Sequence, residues 1–263
     1  MISRTVFEQE HNCSLESSPE RLNQLKEELT AIPWRVAAPS WVIPAGLVEN
    51  CIALENVFPE VALLFFETQS CLAYTEDELP GWLAELHLDY HVHLPLDLEK
   101  YSEEERVQAV LGLARKSAFL SPRRFVLHPP GSPECLKACL EAWAGAGLDP
   151  RLLVLENVHG HNLMDYAELC MAWDVGFCLD LGHMLAYNQE FLLEELDEHS
   201  IRMLHLNAPG PKGRHLPLTA LSAQGKDLLG KLLEKAQPDT LVTLEVFEEQ
   251  GLLDSVTVLH DIV

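Results

Sequence analysis

The sequence lacks the material for a disulfide framework. Its seven cysteines, Cys13, Cys51, Cys71, Cys135, Cys139, Cys170 and Cys178, are odd in number and form no CxxC pair, so they read as reduced thiols. Cys135 and Cys139 stand four apart on an expected helix and are read as small buried hydrophobes. Long apolar runs are also missing. The longest, such as Val61–Phe66, fall far short of the roughly 20 residues that span a bilayer, and no membrane segment is expected. The opening stretch MISRTVFEQEHNCSLESS has no apolar core of the signal-peptide kind, which points to the cytoplasm. Basic residues are few: 18 Lys and Arg against 41 Asp and Glu give a net charge of −23. Such a field repels polyanions. The one candidate basic patch, Lys212-Gly213-Arg214, with Arg123 and Arg124 elsewhere, suffices for one phosphate but not for a duplex. There is no low-complexity segment, interdomain linker or internal repeat beyond a strand-helix rhythm.

What is present suits one large core. With 263 residues and 48% hydrophobic content, the chain matches the size at which α/β barrels form a single domain, about 250 residues. Short runs with β-branched or aromatic content, bounded by turn residues, recur near 35–43, 61–67, 90–95, 124–130, 151–157, 174–180, 201–207 and 240–246, eight strand candidates in all. Helical patterns lie between them. Their start signals are Thr75 with Glu78 and Ser102 with Glu105 as capping boxes, and Ser132 before Pro133. Over 102–120, Val107, Val110, Leu111 and Ala114 form one stripe, as a helix packing on a strand ring requires. Strand-helix alternation favours a parallel sheet, and eight repeats predict a (β/α)8 barrel over 34–263. Residues 1–33 form an N-terminal extension in which Pro19–Ile32, behind Ser18, is an amphipathic helix expected to cover the barrel floor.

Eight residues of metal-binding type sit at or just beyond the ends of these apolar runs: His93, His128, Glu156, Asp180, His183, His205, His215 and Glu245. Strand C-termini of a parallel barrel converge on one face, so single ligands far apart in sequence meet there. Glu156 and Glu245 end otherwise apolar strands. A carboxylate so placed is costly to bury unless it binds a cation or accepts hydrogen bonds, and basic partners are scarce. Structural pairing explains any one of the eight as well as a metal does, but it does not explain the set. His91, two residues before His93, faces the same way one layer deeper and is expected to be a hydrogen-bonded core residue.

The stretches HLP at 93–95, HPP at 128–130, LEN at 155–157, DLGH at 180–183, HLN at 205–207, RHLPL at 214–218 and LEV at 244–246 resemble the xylose isomerase-like TIM barrels. That group includes sugar isomerases and epimerases and the endonuclease IV type of nuclease. The resemblance covers about residues 35–246. It implies a shared metal core of Glu156, Asp180, His205 and Glu245. In the nuclease type, His93 and His128 would complete a first zinc site bridged by Glu156, and His183 with His215 would belong to a third. The nuclease pattern has an aspartate where this chain has Gly213, so two ions are expected and the third site lacks one of its ligands. Zinc suits a histidine-rich set, with manganese or iron as alternatives.

Two reactions fit. A multimetal site suits hydrolysis of a phosphodiester, whereas a sugar or sugar-phosphate isomerase or epimerase needs one divalent ion and carboxylates such as Glu156 and Glu245 to move a proton. The additional histidines favour the hydrolase. The charge disfavours nucleic acid and leaves a small-molecule phosphodiester as substrate. PSWVIPAGLVEN at 39–50, EVALLFFET at 60–68 and YHVHLPLDL at 90–98 are similar to the cobamide-remodelling phosphodiesterases, which act on B12-type cofactors. That resemblance implies phosphate contacts from Lys212 and Arg214, and contacts to the organic part from His159, His161 and Asn162, which are otherwise ordinary polar loop residues. A barrel that only binds or scaffolds is the third class, and metal content separates it from the two enzymes.

Overall fold

The computed structural model describes residues 3–11 and 13–263. Eight parallel strands close a barrel: β1 (Arg35–Pro39), β2 (Glu60–Leu64), β3 (Asp89–His93), β4 (Phe125–Leu127), β5 (Leu153–Glu156), β6 (Gly176–Asp180), β7 (Ile201–Leu206) and β10 (Leu241–Leu244). Each pairs with its sequence neighbour, and β1 pairs with β10 to close the ring. All eight expected strands are present. A two-stranded antiparallel ribbon, β8 (Ala208–Pro209) and β9 (His215–Leu216), rises from the loop after β7.

Helices surround the ring: α1 (Arg4–Glu10), α2 (Pro19–Ala31), α3 (Leu47–Glu55), α4 (Thr68–Ala73), α5 (Glu103–Ser117), α6 (Pro133–Gly145), α7 (Ala167–Trp173), α8 (Leu181–Tyr187), α9 (Leu192–Glu195), α10 (Ala223–Lys235) and α11 (Glu249–Ile262). The Ser102 capping box starts α5, and Ser132 caps α6. On α5, Val110, Leu111 and Ala114 are buried as the stripe requires. Thr75 and Glu78 also bond as expected, Glu78 Oε2 accepting from Thr75 N at 2.8 Å, but no α-helix follows. Pro80 lies two residues on; it has no N–H to give a helix and disfavours helical backbone before it, so the segment is a turn. All seven cysteines are free. Cys139 is buried, but Cys135 is only partly so, its Sγ donating to Glu103 Oε2 at 3.2 Å. No described helix is long and apolar enough to cross a membrane.

The N-terminal segment does not cover the floor. Ser18 caps α2 as expected, and α2 packs outside the ring against α11: Arg21 donates to Thr257 Oγ1 at 2.7 Å, and Leu25 is fully buried. Helix α1 is tied to α3 by Arg4–Glu55 at 2.6 Å, and Phe7 meets Trp82 with ring centroids 5.7 Å apart. At the floor, charges at the starts of β1 to β4 pair with one another. Arg35 bonds Glu60 at 2.7 Å and also reaches Asp89; Arg123 bonds Asp89 at 2.6 Å.

Inside the ring, alternation sets what the site receives. Ala37, Val126, Val154, Cys178, Met203 and Leu241 form a separate buried cluster. Two residues on from four of these, on the same side of the strand or its extension, stand His128, Glu156, Asp180 and His205. His91 lies in the lower interior as expected, fully buried, with Glu60 Oε1 at 2.9 Å and Thr243 Oγ1 at 3.3 Å.

Candidate metal centre

All eight ligand candidates meet at the C-terminal mouth. Donor atoms of His93, Glu156 and His205 lie within 4.8 Å of one another, as do those of Asp180, His183 and His215, and those of Glu156, Asp180, His205 and Glu245. His128 joins through Nε2, 3.2 Å from Glu156 Oε2. Glu156 is the hub. Its Oε2 faces His93 Nε2 at 3.0 Å and His128, while its Oε1 faces the Nδ1 atoms of His183 and His205, both at 3.4 Å.

The rings are aimed by the backbone. His93 Nδ1 lies 2.9 Å from Leu94 O, His183 Nδ1 2.8 Å from Asn157 O, and His215 Nδ1 3.2 Å from Glu245 O. A nitrogen that donates to a carbonyl fixes the tautomer and leaves Nε2 with its lone pair, the usual arrangement of a ligating imidazole. His205 differs. Buried to 1% exposure, it makes no hydrogen bond through either ring nitrogen, and Glu245 Oε2 is likewise buried without one. Buried polar atoms without partners are costly. Here they point into a group of N and O donors, so the residues present fit a divalent cation.

Asp180 is fixed from three sides. As N-cap of α8 its Oδ1 accepts from His183 N at 2.6 Å, its Oδ2 accepts from Asn207 Nδ2 at 2.7 Å, and its backbone N–H donates to Asn157 Oδ1 at 2.6 Å. A Cβ on Gly182 would come 1.9 Å from Asn207 Oδ1, which explains the glycine in the Leu-Gly-His turn. Gln189 donates to Val158 O and accepts from Asn157, holding the loop after Glu156. Asn157, directly after Glu156, and Asn207, two residues after His205, are the signal in the sequence for this support; Gln189 gives none.

Charges are strongly coupled. Burial alone would raise the Glu156 carboxyl, but His205 and His128 hold it well below the usual range. Burial likewise opposes Glu245, which His205 and His215 keep low. Asp180, fully buried, is pushed up by desolvation despite His183 and His215. Against burial, Asp180 and Glu156 raise His183 to about 10, and carboxylates also raise His93 and His215. Without an ion, protons take the place of positive charge.

A cavity of about 250 Å³ opens above the cluster, with Leu64, Phe65, Phe66, Leu96 and Phe247 as apolar walls. Phe247 stacks on His215, centroids 5.2 Å apart. Gly213 reaches this cavity, whereas Lys212 and Arg214 are exposed on either side of it and are not part of the wall. Gly213 has φ +73° and open space where a side chain would stand. His159 and His161 line an adjoining cavity of about 260 Å³ that shares Leu96, His128 and His183. There His159 packs on Tyr187 at 4.8 Å. Asn162 is occupied locally, its Oδ1 accepting from Met164 N at 3.2 Å. Trp41, Phe66 and Leu96 are exposed, at 46%, 39% and 50%; they fall one in each of the stretches 39–50, 60–68 and 90–98.

No protein-family model matches the sequence, and no curated protein matches it. The fold does have solved relatives. A D-tagatose 3-epimerase-like protein superposes with a TM-score of 0.66 at 16% identity over 87% of this chain and 96% of its own. An IolI protein crystallised with a zinc atom gives 0.61 at 14% identity, covering 87% and 94%. A xylose isomerase domain containing protein from Salmonella typhimurium LT2 gives 0.55 at 14% identity, also covering 87% and 94%. The chain therefore shares the (β/α)8-barrel fold of these proteins.

Proposed function

We propose that this chain is a metal-dependent hydrolase of a small phosphodiester, working at a site of at least two ions on the C-terminal face of the barrel. The observation that carries the reading is Glu156, whose Oε2 lies within 3.2 Å of the Nε2 atoms of His93 and His128 and whose Oε1 lies 3.4 Å from His205 Nδ1. A carboxylate shared between two sets of nitrogen donors is the bridge that a binuclear site needs. His93 and His128 would hold one ion on Oε2, and His205 with Asp180 and Glu245 the other; His183 and His215 add donors beside Asp180 for a third.

Divalent ions bound there, zinc by preference, supply Lewis acidity and lower the pKa of water towards neutrality. The chain's own residues do the rest. Glu156 and Glu245 compensate the ions' charge and accept protons at the mouth, and Phe65, Phe66 and Phe247 exclude bulk water. Lys212 and Arg214, flanking the cavity-lining Gly213, are assigned to the phosphate, and His159 and His161 to the organic part. A cobamide is the first substrate class to assay, on the strength of the stretches at 39–50, 60–68 and 90–98. Nucleic acid is disfavoured by the net charge of −23.

The second reading is a one-ion sugar isomerase or epimerase. It is supported by the quartet Glu156, Asp180, His205 and Glu245 and by the epimerase-like name of one structural relative. Metal analysis with product analysis separates the two. Two or more ions per chain and cleavage of a bis-aryl phosphodiester, both lost in Glu156→Gln, support the hydrolase. One ion with ketose interconversion supports the epimerase. Absence of bound metal, with no gain in melting temperature on adding zinc or manganese, leaves only a scaffold.

A further inference from the structure

Beside the metal cavity lies a larger one, about 410 Å³, and the two share Leu64 and Phe66 as a common wall. Its lining is aromatic: Phe7 from α1, Trp41 after β1, Phe66 after β2, then Tyr74 and Trp82. Trp41 and Phe66 meet edge to face at 5.6 Å where the cavities join. Both are more than a third exposed, a costly placement for two large rings unless something flat covers them.

The charge of this second cavity is of one sign. Glu49, Glu76, Asp77 and Glu78 stand in its lining, which contains neither lysine nor arginine. Glu78 is engaged with Thr75, and Glu76 Oε2 accepts from Gly81 N at 3.2 Å. Among the described residues none of the four is within ion-pair distance of a basic group.

We propose that this cavity is a subsite for the non-reacting end of the substrate, and that it takes a planar nitrogen heterocycle carrying positive charge or outward N–H donors. Aromatic faces attract a flat cation through their quadrupole, and the carboxylates add attraction of the same sign. Cavities of several hundred Å³ with apolar walls and a few convergent polar groups are the usual shape of small-molecule sites. The two cavities then divide the substrate by charge. The anionic ester goes to the ions and the cationic ring goes past Leu64 and Phe66 into the aromatic chamber. The N-terminal segment acquires a role, since Phe7 is part of the chamber wall.

The assignment of the ring to the substrate's far end rests on the hydrolase reading, but the subsite itself is tested without turnover. Calorimetric titration of the full-length protein with 1-methylquinolinium, and separately with 2-naphthalenesulfonate, measures the preference for a flat cation over a flat anion of similar size. The cation should bind at least tenfold more tightly. Trp41→Ala should weaken it about tenfold and Trp41→Phe much less, and Glu49→Gln with Asp77→Asn should remove most of the charge preference. Equal affinities for the two probes, or cation binding unchanged in Trp41→Ala, would overturn the subsite. Chelation of the metal should leave the cation's affinity within about twofold. A protein that binds the cation in this way yet cleaves no phosphodiester would refute the hydrolase and keep the subsite.

Discussion

The two ends of the barrel treat charge in opposite ways. At the floor, Arg35, Glu60, Asp89 and Arg123 are matched cation to anion, with Glu60 completely buried between the guanidiniums of Arg35 and Arg123 and the ring of His91. At the mouth, three buried carboxylates meet five histidines and no lysine or arginine. Two histidine nitrogens and one carboxylate oxygen there have no hydrogen-bond partner. Buried charge is costly unless it is paired, hydrogen-bonded or bound to a cation. The floor's ion pairs are therefore made within the chain, whereas the mouth presents a donor set that fits a cation.

The largest break in that comparison comes from Glu156→Gln. It keeps the shape of the hub but removes the charge that His93, His128 and His205 face, so metal content should fall to one ion or none per chain and hydrolysis to background. Elemental analysis of the purified variant checks the first and a phosphodiesterase assay the second. Full activity with full metal would show that Glu156 is merely buried.

Asn207→Ala should come next. It removes the hydrogen bond to Asp180 Oδ2 while leaving every ligand in place, and loss of such outer support costs about 10–100-fold in metal affinity or activity. Gly182→Ala should act in the same direction, because its Cβ collides with the same amide. Competition against a chromophoric chelator gives the affinities; unchanged values would mean that Asp180 is held by its place at the α8 N-terminus alone.

A gentler probe is pH. His183 is raised to about 10, and His93 and His215 are raised as well. For a group whose folded pKa lies above its unfolded value of about 6.5, the stability it contributes is complete below that value and is lost as pH rises towards the folded one. The metal-free protein should therefore lose melting temperature between pH 6.5 and 10. Metal needs the same imidazoles neutral, so binding releases protons and its stabilisation grows over the same interval. The gap in melting temperature between loaded and stripped protein should widen from pH 6.5 to 9, read by calorimetry in matched buffers. A gap that narrows would mean that these histidines are not ligands.

Much of this was legible before any coordinates. Eight strands could be placed because each is a short apolar run with a clear stop, Pro95 after β3 and Pro129 after His128 being the sharpest. The residues that meet at the mouth were legible as ligand candidates because a charge at the end of an apolar run has few explanations. What could not be read was placement between segments distant in sequence. Thr75 and Glu78 make the bonds of a capping box, yet Pro80 decides the outcome. Helix α2 is amphipathic, and amphipathicity says that a face is buried but not against what; its partner proved to be α11. The aromatic mouth was hidden for the same reason, since Trp41, Phe66 and Leu96 come from three different loops.

The smallest effect should come from the floor, and it is the control for the rest. Arg123→Ala removes one of the two guanidiniums on Asp89, but Arg123 is 52% exposed and Arg35 still reaches that carboxylate. An exposed ion pair of this kind is worth about 0–1 kcal/mol. Melting temperature should shift by a few degrees at most, and metal content, affinity and turnover should stay at the wild-type level. If Arg123→Ala instead lowered metal content, the two ends of the barrel would be coupled through Glu60, His91 and Thr243, the buried chain that links them. The separation of the floor's ion pairs from the mouth's donor set would then fail, whatever Glu156→Gln had shown.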